Sequence, residues 1–425
     1  MREQLRKNLW FAYLTALVTW MILSYGWFAG ECKGGKLFAF LENGRPFVSD
    51  FVNSYNAATL AKHCEVERVA IYDPNVQAQS QAKLTAPVRA ELPFYLQYPP
   101  YFFVLMRPLA EFSMLQAWFL WCTISTLLLL YVLKFLIFPV LAGKFSRIFA
   151  FVAMLASFPQ WEAIYSGNPS LCFVPAIILF WLVIQKRPVL AGLASFACLI
   201  KIQYLPLLGS CGLILGRWKY VLSIASVLLL FLLLTAAEVG WENIAAFPAA
   251  LANGETNAKL VGVAADQMQN LRGQLILITG SDDTLTRVTS LVVLALSVIA
   301  SCGLWIAYKP GAENAQRQYR LRASITTLLL LVSSPHTHKH DYSICILPCV
   351  WLWSELVASD LVGSRLKAIS KILIIAFPAF SWIFFFLMSF FHLLKIQPFF
   401  LWALGLLIAA VLGLRSERVR SRLEH

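Results

Sequence analysis

Long apolar runs alternate with short polar breaks over almost the whole chain, at lengths that suit helices crossing a bilayer. The pattern predicts twelve spans, near 8–29, 115–137, 147–164, 169–185, 188–201, 203–216, 219–239, 286–308, 322–335, 341–358, 371–391 and 397–414. Residues 97–112 are also apolar but carry Arg107, Pro108 and Glu111. They read as a helix lying in, or dipping into, the outer interface. Residues 51–62 place Phe51, Tyr55, Ala58 and Lys62 at helical spacing, which predicts a second interfacial helix in the first outer loop. The fold class is therefore all-α: a polytopic helical membrane protein, with residues 1–425 as one membrane domain. The alternating ten-residue strands of a β-barrel are absent from the pattern. No internal or inverted repeat emerges, which argues against a transporter.

Composition agrees with this. Hydrophobic residues make up 59% of the chain and charged residues 13%, with a mean hydropathy of +0.68. Residues 9–29 are too long and too aromatic for a cleavable signal and read as the first span. The net charge of +13 would suit nucleic acid, but its distribution does not. On the twelve-span layout, one side collects 21 of the 35 Lys and Arg and only six of the 22 acids. That is the positive-inside signature, and it predicts cytoplasmic termini, contact with anionic lipid heads and no nucleic-acid partner. The outer loops become 30–96, 165–168, a bend near 201–203, 240–285, 336–340 and 392–396.

Every segment that resists a purely apolar reading falls in or beside those outer loops. Asp50 precedes the helix predicted at 51–62, and two roles fit it: N-cap of that helix, or general base at the membrane surface. Tyr98-Pro99-Pro100 reads as a helix entrance. Gly167-Asn168-Pro169 reads as a turn and cap, with Asn168 also able to touch a substrate. Lys201-Ile202-Gln203 lies at membrane depth, where Pro206 must break the helix. The cost of a cation there favours function over snorkelling. Gln269-Asn270-Leu271-Arg272-Gly273 offers a guanidinium suited to phosphate, although loops carry Arg routinely. Pro335-His336-Thr337-His338-Lys339-His340-Asp341-Tyr342 alternates three histidines, as a metal site in an extended segment would. Lys339 opposes a cation there, so phosphate or hydroxyl binding by the histidines, His336 and His340, and Lys339 is the better reading. Of the nine cysteines, Cys32 and Cys64 share an outer loop and are able to pair if that side is oxidising. There is no P-loop, dinucleotide fingerprint, nucleophile elbow or Asp-x-Asp pair, so nucleotide-dependent chemistry lacks support.

Taken in order, Asp50-Phe51 with Tyr55, then Tyr98-Pro99-Pro100, Gly167-Asn168, Lys201-x-Gln203, Asn270-x-Arg272-Gly273 and Pro335-His336…Asp341-Tyr342 resemble the motifs of glycosyltransferase family 87 over roughly residues 45–350. That family belongs to the GT-C superfamily of integral membrane transferases. Its Lys-Pro-Gln stands here as Lys201-Ile202-Gln203, with the proline later at Pro206. The resemblance implies an inverting enzyme, in the inner membrane of a bacterium, with its active site on the outer face. It would move a sugar, often mannose, from a polyprenyl-phosphate donor to a glycolipid or glycan acceptor. It also implies Asp50 as catalytic base. Tyr55, Tyr98, Asn168, Lys201, Gln203, Asn270, Arg272, His336 and His340 would bind substrate, with no cofactor and no metal. A polymerase or ligase of lipid-linked glycans is the alternative enzyme, and a transporter or flippase the alternative of another class.

Overall fold

A computed structural model describes residues 2–33, 49–64, 69–86, 96, 98–141, 143–256, 268–359 and 362–423. Among these the chain is helical, with no strand. Helix α1 (Arg2–Lys33) is followed by three short helices, α2 (Ser49–His63), α3 (Pro74–Thr85) and α4 (Pro100–Met106). Next come α5 (Met114–Tyr131), α6 (Lys144–Ala156), α7 (Phe158–Ser166), α8 (Ser170–Val183), α9 (Pro188–Ala194) and α10 (Leu205–Ile214). The second half holds α11 (Trp218–Val239), α12 (Trp241–Thr256), α13 (Leu271–Thr279), α14 (Thr284–Ile306) and α15 (Ala315–Ser333). It ends in α16 (Ile346–Leu352), α17 (Ser364–Phe386), α18 (Met388–Leu393) and α19 (Pro398–Leu423). Two 3-10 turns, Ser195–Leu199 and Ile202–Tyr204, separate α9 from α10, and a third, Lys339–Cys345, leads into α16.

Each of the twelve expected spans contains helix, but the count of twelve crossings is not reproduced by helix length. Five helical stretches among the described residues are long and apolar enough to cross a membrane, or six if α6 and α7 form one span bent by 51°. The remainder are short for a reason visible in the chain. Pro159 opens α7, Pro188 opens α9 and Pro206 opens α10, and each denies a backbone donor to the preceding turn. The expected spans 188–201 and 203–216 thus become short helices divided by 3-10 turns. At seven residues, α4 is too short to cross.

Helix α2 packs against α3 and α4, and is buried along most of its length, from Phe51 to Ala61. The expectation of a helix with one face in the lipid interface gives way to one enclosed by protein. The charges of the 97–112 region are paired: Arg107 with Glu238 at 3.2 Å and Glu111 with Lys62 at 2.9 Å. The proposed pairing of Cys32 with Cys64 lies outside the described residues, because the side chain of Cys32 does.

Helix ends follow their local sequence. Ser113 and Gln116 form a capping box on α5, Asp73 caps α3, and Asp283 caps α14 by accepting from the Thr286 N–H at 2.8 Å. The far end of α14 is closed by Arg322, which is buried in α15. Its guanidinium donates to the carbonyls of Leu304 (2.9 Å) and Ala307 (3.2 Å) and to Gln318 Oε1 (2.8 Å). A cation at a helix C-terminus satisfies orphan carbonyls and complements the dipole. Replacing Arg322 by Met should leave those carbonyls buried without donors and cost about 2 kcal/mol of stability. Thermal unfolding in detergent checks this, and an unchanged midpoint would refute it.

Candidate active site

A turn only three residues long brings the first polar groups together. Gly167 ends α7 with a positive φ of 73°, and a Cβ added there would sit 2.5 Å from Phe51 Cβ. Only glycine allows both the left-handed turn and this approach to α2. Asn168 follows and is buried. Its Oδ1 accepts from the Ser170 N–H at 2.9 Å, which starts α8. Its Nδ2 donates to Asp50 Oδ2 at 3.1 Å. Asp50 lies inside the first turn of α2 instead of at the N-cap, with its carboxylate turned to Asn168.

The network continues inward. The Ser170 hydroxyl lies 2.6 Å from Asn168 Oδ1 and 2.8 Å from Asp341 Oδ1, and its single proton serves one at a time. Asp341 is fully buried. Its Oδ1 also receives Lys201 Nζ at 2.5 Å, and its Oδ2 receives the His338 N–H at 2.9 Å. Lys201 sits at the expected helix break, with non-helical backbone between the two 3-10 turns. It is buried on Asp341 and does not reach for the interface. Its ammonium also stands over the rings of Phe173 and Tyr204.

Burial alone would push the Asp341 carboxyl up; the Lys201 ammonium, His340 and the hydrogen bonds from Lys201 and His338 outweigh it and hold the group below the usual carboxylate range. Burial pushes the His338 imidazole well down, aided by His340 and Lys201, so it stays neutral. The Tyr98 hydroxyl is pushed up by burial, with smaller contributions from the charges of Asp50 and Asp341.

Other expected residues have structural partners. Tyr55 donates to the carbonyl of Phe112 at 2.7 Å, tethering α2 to the start of α5. Gln203 donates to the carbonyl of His336 at 3.4 Å, which joins two of the expected motifs through backbone. Asn270 caps α13: its Oδ1 accepts from Gly273 N–H at 2.8 Å and its Nδ2 donates to Ser334 O at 2.7 Å. Gly273 is required because a Cβ there would meet Met268 O at 1.9 Å. Arg272 forks onto Asp282 at 3.1 and 2.8 Å. The Asn-x-Arg-Gly motif is thus a cap, a tight turn and a forked ion pair. His340 is buried, its Nε2 lying 3.9 Å from Asp341 Oδ2, and its ring is stacked on that of His338. No group of three His, Cys, Asp or Glu side chains among the described residues is arranged to hold a metal.

Two acids belong to the site and lay outside the expected set. Asp341 ties Ser170 to Lys201. Glu162, on α7, pairs with Lys339 at 3.2 Å and lies 3.9 Å from His340 Nδ1. A carboxylate inside an apolar run was the signal available for Glu162. For Asp341 it was the acid ending the histidine motif.

The family model for glycosyltransferase family 87 matches residues 95–335, more than half of the chain. The chain belongs to glycosyltransferase family 87. It is accordingly a glycosyltransferase, and its long apolar helices make it an integral membrane one. The family match covers Asn168, Lys201 and Arg272; Asp50 precedes it and His336 follows it. No match was found among the curated proteins or among the solved structures.

The buried ion pair and the turn each give this family 87 enzyme a testable property. Asp341→Asn should strand Lys201 as an unpaired buried cation and cost about 3–5 kcal/mol, whereas Lys201→Met with Asp341→Leu should recover most of it. Thermal unfolding of the two variants beside the wild type checks this, and equal losses would refute it. Because the folded-state Asp341 carboxyl is depressed, its stabilisation is present above the unfolded value of about 4 and is lost as pH falls toward the lower folded value. The acid limb of the wild-type stability profile should therefore weaken in the double variant. Gly167→Ala should push the 167–169 turn off Phe51, separate Asn168 from Asp50 and lower sugar transfer at least 10-fold in protein that still purifies folded.

Proposed function

We propose that this enzyme takes its sugar from a polyprenyl-phosphate carrier and passes it to an acceptor hydroxyl, inverting the anomeric carbon. Mannose is the sugar and a glycolipid or glycan the acceptor. The reaction runs at the outer face of a bacterial inner membrane, with both termini in the cytoplasm. The observation that carries this reading is the hydrogen-bonded chain Asp50–Asn168–Ser170–Asp341–Lys201. It joins four segments distant in sequence, and its members other than Ser170 come from four of the motifs that resemble the family's.

In this reading Asn168 fixes one oxygen of Asp50, and the other takes the acceptor proton. The acceptor oxygen bonds to the sugar C1 as the C1–O bond to phosphate breaks, and polyprenyl phosphate departs with the electron pair. Charge grows on the leaving phosphate, so preplaced donors matter most there. Lys201 spends one N–H on Asp341 and has two more to offer. His336 and His340 are the other proposed phosphate contacts. Arg272 stays in that set, with its Nε and one Nη engaged by Asp282. With these donors, the proposal calls on no metal and no cofactor.

An apolar cavity between α1, α6, α7, α16 and α17 supports a prenyl donor. Its volume is about 130 Å³, and Trp10, Phe149, Cys349 and Phe377 are among its walls. Gln160 and Tyr342 also line it, two residues from Glu162 and next to Asp341. A chain held there would leave its phosphate at the polar network.

The direct test gives purified enzyme radiolabelled polyprenyl-phosphate sugars and measures release of polyprenyl phosphate. Asp50→Asn keeps the Asn168 contact but removes the base, and should lower release about 10²- to 10⁴-fold with an unchanged melting temperature. Turnover at the wild-type rate would sink the assignment of Asp50.

A further inference from the structure

We infer that Glu162 binds a hydroxyl of the donor sugar and so sets which sugar the enzyme accepts. This rests on the polyprenyl-phosphate donor reading above. Glu162 is 9% exposed, on the last turns of α7. Its Oε1 pairs with Lys339 at 3.2 Å, while Oε2 is buried and has no hydrogen-bond partner among the described residues. A carboxylate has roughly four acceptor positions, and leaving one oxygen dry in a buried site is costly.

The protein groups nearest that oxygen do not satisfy it. His340 Nδ1 is 3.9 Å from Oε2, beyond hydrogen-bond reach, and its Nε2 is 3.9 Å from Asp341 Oδ2. The imidazole therefore stands between two carboxylates and bonds to neither. The helix that carries Glu162 ends in the Gly167–Asn168 turn that holds Asp50, so the two carboxylates have a fixed relation.

The chemistry selects the ligand group. An ionised carboxylate only accepts, so it repels phosphate and welcomes O–H donors. In a polyprenyl-phosphate sugar the O–H groups are all on the sugar. A site that hydrogen-bonds a substrate hydroxyl rejects the analogue lacking it, because a buried polar group is then left unpaired.

The test uses the sugar that the wild type turns over as its polyprenyl-phosphate ester, together with the monodeoxy analogues of that donor. The readout is kcat/KM for polyprenyl phosphate release. Wild type should lose roughly 10- to 100-fold on one analogue, as expected for a hydrogen bond to a charged group. Glu162→Gln should lose a similar factor on the parent donor and discriminate that analogue by less than about 3-fold. Glu162→Asp, which keeps the charge at shorter reach, should discriminate to an intermediate degree, and it carries the same reading if the Gln variant fails to fold. Equal loss on every donor, or wild-type discrimination in the variants, overturns the role of Glu162 alone. Failure of wild type to release polyprenyl phosphate from any donor overturns the donor reading and this inference with it.

Discussion

The ion pair between Lys201 and Asp341 is the constraint on which the rest of the site depends. Both groups are buried, and neither charge would be tolerable there without the other. The pair fixes the broken segment after α9 against the Lys339–Cys345 turn, two stretches 140 residues apart. Asp341 then spends its remaining capacity on Ser170 and on the backbone of His338. Three segments are thereby held by one carboxylate. The irregular backbone around Lys201 is acceptable because it is enclosed by protein, where polar partners replace the ladder bonds it gives up.

Helix α7 provides the complementary constraint. Gly167 lets its end press against α2, and the same short helix carries Glu162 on the face toward Lys339 and His340. Backbone shape at a single glycine thus sets the relation between carboxylates from two helices. Three of the acids are answered by a cation, Lys201 for Asp341, Lys339 for Glu162 and Arg272 for Asp282, while Asp50 is held by the Asn168 amide.

Much of the architecture was legible in the sequence, since apolar runs between polar breaks must be helical in lipid. The break at Lys201, forced by Pro206, and the turn at Gly167 were legible for the same reason: proline and glycine act locally. The number of crossings was not, because an apolar run of fourteen residues looks alike whether it spans a bilayer or stops half-way inside the protein. Pairings were the other blind spot. Nothing local says that Arg272 will spend its guanidinium on Asp282 ten residues later. Nor does anything local say that Asn270 will serve as a cap while its neighbour Gln269 clasps Thr337. Asp50, Asn168 and Lys201 were recognisable as candidates, but the acid that joins them, Asp341, acquires meaning only from contacts made across the fold.

The shortness of α8 has a geometric consequence. Its fourteen residues rise roughly 21 Å, about two thirds of a hydrocarbon layer near 30 Å thick. Ser170 stands at one end of that helix and is wholly buried beneath Asn168 and Asp341. The remaining third must be made up at the ends of α8, and at the Ser170 end it is the buried contacts with Asn168 and Asp341 that tie the helix to its neighbours.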